Sequence, residues 1–488
     1  MTLATTMREP RTDQVATRFA YNVQVVGVLL VIVGIPALCI LGHQAGILRI
    51  VFPALSVAVG GFLLRRSKPV YVGLVCWLWF LTPFLRRFAD YQSGWTPSSA
   101  VLLAPYAAAG LSGLTLLPSL GSLWNRRTLP HVCALVAVMY GLVIGLLRFP
   151  LFNVLQALLN WTVPVIFGLF IYNNRALYPQ FRGVIERAFL FGVLITGAYG
   201  IYQYFTLPDW DRLWLLNVQT NSFGAIEAMK IRAFSTMNAP AIFAAVMFCG
   251  LMLLFNMRSK LRLLSAGCGF VALLLTSSRA SWLSLVAGAV YLLARMQMRQ
   301  RLRLAVAIAM CALVFAALMQ IPAIGSVVLQ RAETFSDPTQ DVSFSARVEG
   351  HEQALRVLAQ EQFGEGLAST DTEHATEGDD DIIGPHDSTL LEFLYSLGWI
   401  GSLIYVLGLA SLIPQLARAA RSDSFVLSSQ AILIGFLAQC LLNSVMLGIL
   451  GFMVWTFASM TLASLDCQEA TESSVEQQIE QEAGYAVV

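Results

Sequence analysis

The chain has 488 residues, 57% of them hydrophobic and only 12% charged, with a mean hydropathy of +0.67. Soluble domains carry about 25% charged residues and a bilayer is crossed by about 20 mostly apolar residues as a helix, so a soluble enzyme with one anchor is excluded and an all-α polytopic membrane protein is specified. The apolar runs are continuous rather than alternating, which excludes a membrane β-barrel, and the net charge of +2 says nothing about partners.

Residues 1–21 read as a polar cytoplasmic segment. The run that follows is too long for the core of a cleavable signal peptide and is expected to stay as a signal anchor. Apolar runs then lie at about 22–42, 47–64, 70–85, 100–118, 131–147, 152–172, 188–206, 240–257, 262–277, 282–294, 304–321, 388–413, 425–446 and 448–465. That predicts about 14 transmembrane helices, or 12 if the two weakest runs, 70–85 and 282–294, are re-entrant or tilted. Eleven of them fall in 22–321, with an aromatic outer loop at 207–239. A large polar loop, 322–387, separates them from three more in 388–465, and an acidic cytoplasmic tail occupies 466–488.

Basic residues favour the cytoplasmic side of a membrane. With the N-terminus inside and alternating spans, 20 of the 31 Lys and Arg residues fall on inner segments, and both termini are cytoplasmic. Arg232, Arg279 and Arg347 fall outside, against that bias. The eight cysteines avoid the large loop and form no CxxC, so they read as small core residues rather than metal ligands or disulfides.

Five places on the outer side could carry chemistry. Arg279 sits in the hydroxyl-rich turn Thr276-Ser277-Ser278-Arg279-Ala280-Ser281, where its planar fork could hold a phosphate or simply close a helical hairpin by snorkelling. Arg232 precedes Asn238-Pro240, a helix-start signal. Arg347 opens an amphipathic stretch suited to the membrane interface. His386, in Gly384-Pro385-His386-Asp387-Ser388, could be a general base at a helix start, or a spectator beside an N-cap. Asp379, Asp380 and Asp381 could bind a hard cation or form a solvated loop tip. There is no P-loop, no HExxH and no basic nucleic-acid patch.

In this order the segments resemble the O-antigen ligase/polymerase superfamily, integral-membrane glycosyltransferases of C type. The features are an Arg before a mid-chain span (Arg232), a Thr-x-Ser-Arg turn (Thr276–Arg279), and a large loop opening with an Arg-led helix (Arg347). Then come Gly364-Glu365-Gly366, a His-led pair (His386-Asp387) and a glycine hairpin at Gly398-Trp399-Ile400-Gly401. The resemblance covers about residues 188–413. The family's Asn after the histidine is Asp387 here, so Asp387 shares or replaces that role.

The resemblance implies a C-type fold in the bacterial inner membrane, with a periplasmic loop and active face. It implies an inverting, metal-independent transferase that needs no cofactor. Its donor would be a polyprenyl-diphosphate-linked glycan and its acceptor a glycan. Arg232, Arg279 and Arg347 would hold the diphosphate, and His386, with Asp387, would take the acceptor proton. The chain would polymerise repeat units into exopolysaccharide or O-antigen, alongside a flippase and a chain-length regulator. Alternatives are a ligase moving glycan to lipid A core, and, from another class, a lipid-linked oligosaccharide flippase. Transporters place ionisable residues near the midplane, whereas Glu392 is the one acid inside these apolar runs.

Overall fold

A computed structural model describes residues 27–28, 30–218, 221–320, 362–369, 388–419 and 423–485. Among the described residues the regular structure is helical, with no strand and only an isolated bridge between Gly224 and Ile231. The helices used below are α1 (Gly34–Leu41), α2 (Leu48–Arg66), α3 (Lys68–Ser93), α4 (Leu103–Gly110), α5 (Leu129–Arg148), α6 (Leu151–Asn173), α7 (Tyr178–Thr206) and α8 (Asp209–Val218). They continue with α9 (Pro240–Asn256), α10 (Arg262–Leu275), α11 (Arg279–Arg295), α12 (Met298–Met319), α13 (Thr389–Arg418), α14 (Ser424–Gln439) and α15 (Gly448–Tyr485).

Among the described residues, each apolar run coincides at least in part with a helix. Of the described helices, eight are long and apolar enough to cross a membrane, and five shorter apolar ones, Leu30–Leu41, Ala100–Thr115, Pro240–Asn256, Arg262–Leu275 and Ser424–Gln439, lie within the runs at 22–42, 100–118, 240–257, 262–277 and 425–446 or overlap them. The run 282–294 is α11. The run 70–85, short by hydropathy, belongs to a 26-residue helix that continues through Arg86, Arg87 and Asp90. The acidic tail extends the last helix, which runs from Gly448 to Tyr485.

Local chemistry sets the boundaries. Prolines stand at the starts of α3, α5, α7 and α9, where the missing N–H would have no intrahelical partner anyway. α7 stops at Leu207, which is left-handed at φ +41° and is followed by Pro208, which cannot continue the helix.

The bundle has a centre and a periphery. The membrane-length part of α15 is 94% buried, against 6% for that of α12. Lipid gives helices no hydrophobic reason to associate, so packing rests on close approach at small residues. A side chain at Gly168 of α6 would meet Ser459 Oγ at 2.9 Å and Trp455 Cβ at 3.0 Å. Beside it, the buried His131 ring pairs with Ser459 at 2.9 Å and packs on Trp455.

At one end of the bundle the short connections are tied by ion pairs. Asp466 meets Arg127 at 3.3 Å and Arg175 at 2.9 Å. Asp423 caps α14 by accepting from the Phe425 N–H at 2.8 Å, and also accepts from Arg182 at 2.9 Å and the Tyr178 hydroxyl at 2.6 Å. Losing a cap costs about 1 kcal/mol and a charge-assisted hydrogen bond about 1.5–3 kcal/mol. Asp423→Ala is therefore expected to lower the unfolding temperature in detergent by several degrees, checked by differential scanning fluorimetry.

Candidate active site

α3 and α7 run side by side in the same direction: Gly73 faces Val184, Phe80 faces Phe189 and Phe84 faces Tyr199. Lys68 and Arg182 therefore mark one end of the bundle, and Arg86, Arg87 and Gln203 the other. The second end carries the described site residues.

Arg232 and Arg279 are brought to one turn. α10 ends at Leu275, and Thr276 Oγ1 donates to the Leu273 carbonyl at 2.7 Å while accepting from the Ser278 N–H at 3.2 Å. Ser277 is left-handed, at φ +51°. Ser278 is extended, and α11 starts on Arg279. Ser278 and Ser281 are buried with their hydroxyls 3.3 Å apart.

The carbonyls at a helix end and in the turn after it lack intrahelical donors, and here Arg232 supplies donors to two of the turn carbonyls. Its Nε donates to the Thr276 carbonyl at 2.9 Å and its Nη2 to that of Ser277 at 3.4 Å. Nη1 donates to the Ser222 carbonyl at 2.8 Å, and the Ala233 N–H reaches the Leu275 carbonyl at 3.0 Å. The guanidinium of one predicted site residue thus braces the turn that presents the other. Both arginines are half-buried.

The start of α13 lies at the same end. α11 and α14 are antiparallel: Ser284 donates to the Gly435 carbonyl at 2.8 Å, Gly288 faces Ala431, and Tyr291 donates to Gln430 at 2.7 Å. Five residues back from Ser284 and five forward from Gly435 put Arg279 level with Cys440, since both helices rise about 1.5 Å per residue. At that level the Thr389 N–H donates to the Cys440 carbonyl at 2.8 Å, and its hydroxyl donates to the Asn443 carbonyl at 2.8 Å and accepts from Val445 at 3.0 Å. Thr389 is thereby anchored at the level of the arginine turn. Arg347, His386, Asp387 and the Asp379–Asp381 trio lie outside the described residues.

The two glycine motifs meet each other. In an unbroken α13 the Trp399 N–H would bond the Tyr395 carbonyl. Instead Gly398 adopts φ +59°, ψ −172°, and the segment 362–369 enters the gap. Tyr395 O accepts from the Glu365 N–H at 2.8 Å, and the Trp399 N–H donates to Gln362 O at 3.1 Å. On its other side the segment joins α5, where Leu367 N–H donates to the Gly141 carbonyl at 2.9 Å. A shallow cleft lined by Gln362, Phe363, Trp399 and Ile400 opens beside this junction.

Sequence reasoning missed five charged residues at this end. Asp90 pairs with Arg49 at 3.0 Å and Arg86 at 3.2 Å, and Arg87 pairs with Asp211 at 3.1 Å, both fully buried. The signal available was Arg86 placed four residues before Asp90, a helical ion-pair spacing; the partner of Arg87 lies far along the chain. Glu392 is therefore not the only acid buried in a bundle helix. Nearby on the surface, Lys230 bonds Glu227 and holds its carboxyl below the usual range. Among the described residues no group of three or more His, Cys, Asp or Glu side chains is placed to hold a metal ion.

Residues 263–406 match the family model described as O-antigen ligase. The match runs from α10 to the first half of α13. It contains the Thr276–Arg279 turn, Arg347, the Gly364–Gly366 segment, His386-Asp387 and the Gly398 break, and leaves Arg232 outside. It bears out the resemblance to the O-antigen ligase/polymerase superfamily, and with it a ligase- or polymerase-type function on a lipid-linked glycan in a membrane. No curated protein matches the chain.

Proposed function

We propose, from the premise that residues 263–406 are of the O-antigen ligase kind, that this chain is an inverting, metal-independent glycosyltransferase of the bacterial inner membrane. It has fourteen spans in a C-type arrangement, cytoplasmic termini and a periplasmic active face. Its donor is a polyprenyl-diphosphate-linked oligosaccharide and its acceptor a hydroxyl of a second glycan.

In one displacement the acceptor oxygen bonds the anomeric carbon as the bond from that carbon to the diphosphate breaks. His386, aided by Asp387, takes the acceptor proton, and the lipid diphosphate leaves with the bonding pair. Negative charge grows on the leaving oxygen, so preorganised cations there lower the barrier. Arg279, Arg232 and Arg347 fill that role. The observation that carries the reading is the Arg232 fork on the turn of Arg279, at the level where Thr389, three residues after His386, is anchored.

We read the product as a longer lipid-linked glycan, hence a polymerase working beside a flippase and a chain-length regulator. Asp387 in place of the family's Asn and the high span count favour it. The family's description favours a second reading, transfer to lipid A core. A purified assay with lipid-diphosphate oligosaccharide decides: longer glycans on the carrier mean polymerase, a new conjugate means ligase. Flux across proteoliposomes without bond formation would remove both readings.

His386→Ala is expected to lose about 10²–10⁴-fold in rate, the usual contribution of a positioned base, and surface glycan should vanish at matched membrane abundance. Normal glycan in that variant would take His386 out of the mechanism. Activity is expected to survive EDTA; a strict Mn²⁺ or Mg²⁺ requirement would promote Asp379–Asp381 instead.

A further inference from the structure

Among the described ion pairs, one is fully buried on both sides. Arg87 and Asp211 are both fully buried, and their pair joins the end of α3 to α8. Such a pair pays heavily to leave water, and apolar residues of the same volume would often hold the helices together as well. Its hydrogen bonds show what else it holds. Arg87 Nη2 donates to the Ser235 carbonyl, with the guanidinium 4.8 Å from the Phe234 ring centroid. The other Asp211 oxygen accepts from the Tyr199 hydroxyl at 2.6 Å and from Gln203 Nε2 at 2.7 Å. Gln203 Oε1 in turn accepts from the N–H groups of Phe234 at 3.0 Å and Ser235 at 2.7 Å.

Side chains from α3 and α7 thus bind both amides of Phe234–Ser235 and the carbonyl that follows. Ser235 also donates its hydroxyl to the Thr196 carbonyl. It is left-handed, at φ +51°, a conformation that non-glycine residues keep only where their surroundings over-determine it. Three residues earlier stands Arg232, and between them the Ala233 N–H fixes the strand of chain to Leu275.

We propose that Arg87, with Asp211 and Gln203, is a positioning group that sets Arg232 against the Arg279 turn by locking the left-handed Ser235 corner, so that this buried ion pair governs affinity for the lipid diphosphate. The inference rests on the diphosphate role of Arg232 and Arg279 proposed above. Neither partner contacts substrate; both act through the backbone of 233–235.

The test uses the purified full chain and farnesyl diphosphate as probe, with unfolding temperature measured alongside. The double variant Arg87→Met/Asp211→Leu replaces the pair by apolar volume and leaves no buried charge uncompensated. It is expected to stay folded, unfolding within a few degrees of the wild-type temperature, yet bind farnesyl diphosphate at least tenfold more weakly. Arg87→Lys, which keeps the charge but lacks the fork for both Asp211 and the Ser235 carbonyl, should fall between. A folded double variant with wild-type affinity would overturn the proposal, because the pair would then serve packing alone. Should that variant fail to reach the membrane, Arg87→Lys and Gln203→Leu carry the test, since the first weakens the hold on the Ser235 carbonyl and the second removes the acceptor of the Phe234 and Ser235 amides; wild-type affinity in both would overturn the proposal. Arg279→Ala is measured in parallel. If it binds the probe normally, the diphosphate reading fails; if it weakens binding and the Arg87 variants do not, only the positioning role fails.

Discussion

Arg279→Ala is expected to reduce turnover by about 10²–10³-fold, the typical cost of removing one preorganised stabiliser of developing charge, while changing stability by about 1 kcal/mol or less. The reason lies in how the turn is held. Arg279 is the first residue of α11, at the end where a helix carries partial positive charge. The turn before it is fixed by Thr276, by the left-handed Ser277 and by Arg232 from outside. The bonds from Thr276 and Arg232 do not run through Arg279, so they stay in place when truncation removes its charge. Arg279→Lys should recover only part of the loss, because an ammonium cannot present the paired donors of a guanidinium. Arg232→Ala should behave differently. It strips donors from the part-buried Thr276 and Ser277 carbonyls, and unsatisfied buried acceptors cost about 1–3 kcal/mol each; the exposed Ser222 carbonyl can turn to water. Its rate loss should therefore come with a clear fall in unfolding temperature. Single-turnover kinetics with lipid-diphosphate oligosaccharide, beside thermal unfolding in detergent, separate the two variants. A near-normal Arg279→Ala rate would sink the charge-stabilising role.

Helix type was legible from hydropathy because a bilayer leaves the backbone few choices: its polar groups must be satisfied within the segment. Lengths were less so. The run 70–85 ends by hydropathy before Arg86, yet α3 continues to Ser93, since its charges find partners in Asp90, Asp211 and the Thr96 and Pro97 carbonyls. No periodicity along α3 could announce Asp211, which reaches it from α8. The turn residues fared better. Arg232 and Arg279 were singled out separately, each with an ordinary structural explanation, and the fold joins them because α9 and α10 return the chain to the same end. The brace from Arg232 also shows that capping a helix and placing a charge are not rival roles here: one guanidinium does the first by bonding Thr276 and Ser277, and thereby fixes where the second charge stands. The glycines of 364–366 and 398–401 were visible as motifs, but their reason is a contact between them, which one dimension does not display.

That contact sets the second large effect: Gly366→Ala and Gly398→Ala are each expected to cost about 3–5 kcal/mol, combining left-handed strain with overpacking. At Gly366, φ is +96° and an added Cβ would lie 2.2 Å from the Gly145 nitrogen; at Gly398, φ is +59° and a Cβ would lie 2.3 Å from the Phe363 oxygen. Both neighbours are backbone atoms, which cannot swing aside as a side-chain tip can. The segment 362–369 would be forced out of the gap in α13, and the Tyr395 carbonyl and Trp399 N–H would close on each other as in an ordinary helix. Hydrogen exchange reads this directly. The Glu365 and Leu367 amides, now bonded to Tyr395 and Gly141, should lose protection in either variant, while the Thr276–Arg279 turn keeps its own. Because the same segment joins the large loop to the helix that begins at Thr389, transfer should fall together with that protection. Loss of transfer with full protection at Glu365 and Leu367 would instead mean that these glycines matter for chemistry rather than for seating the loop.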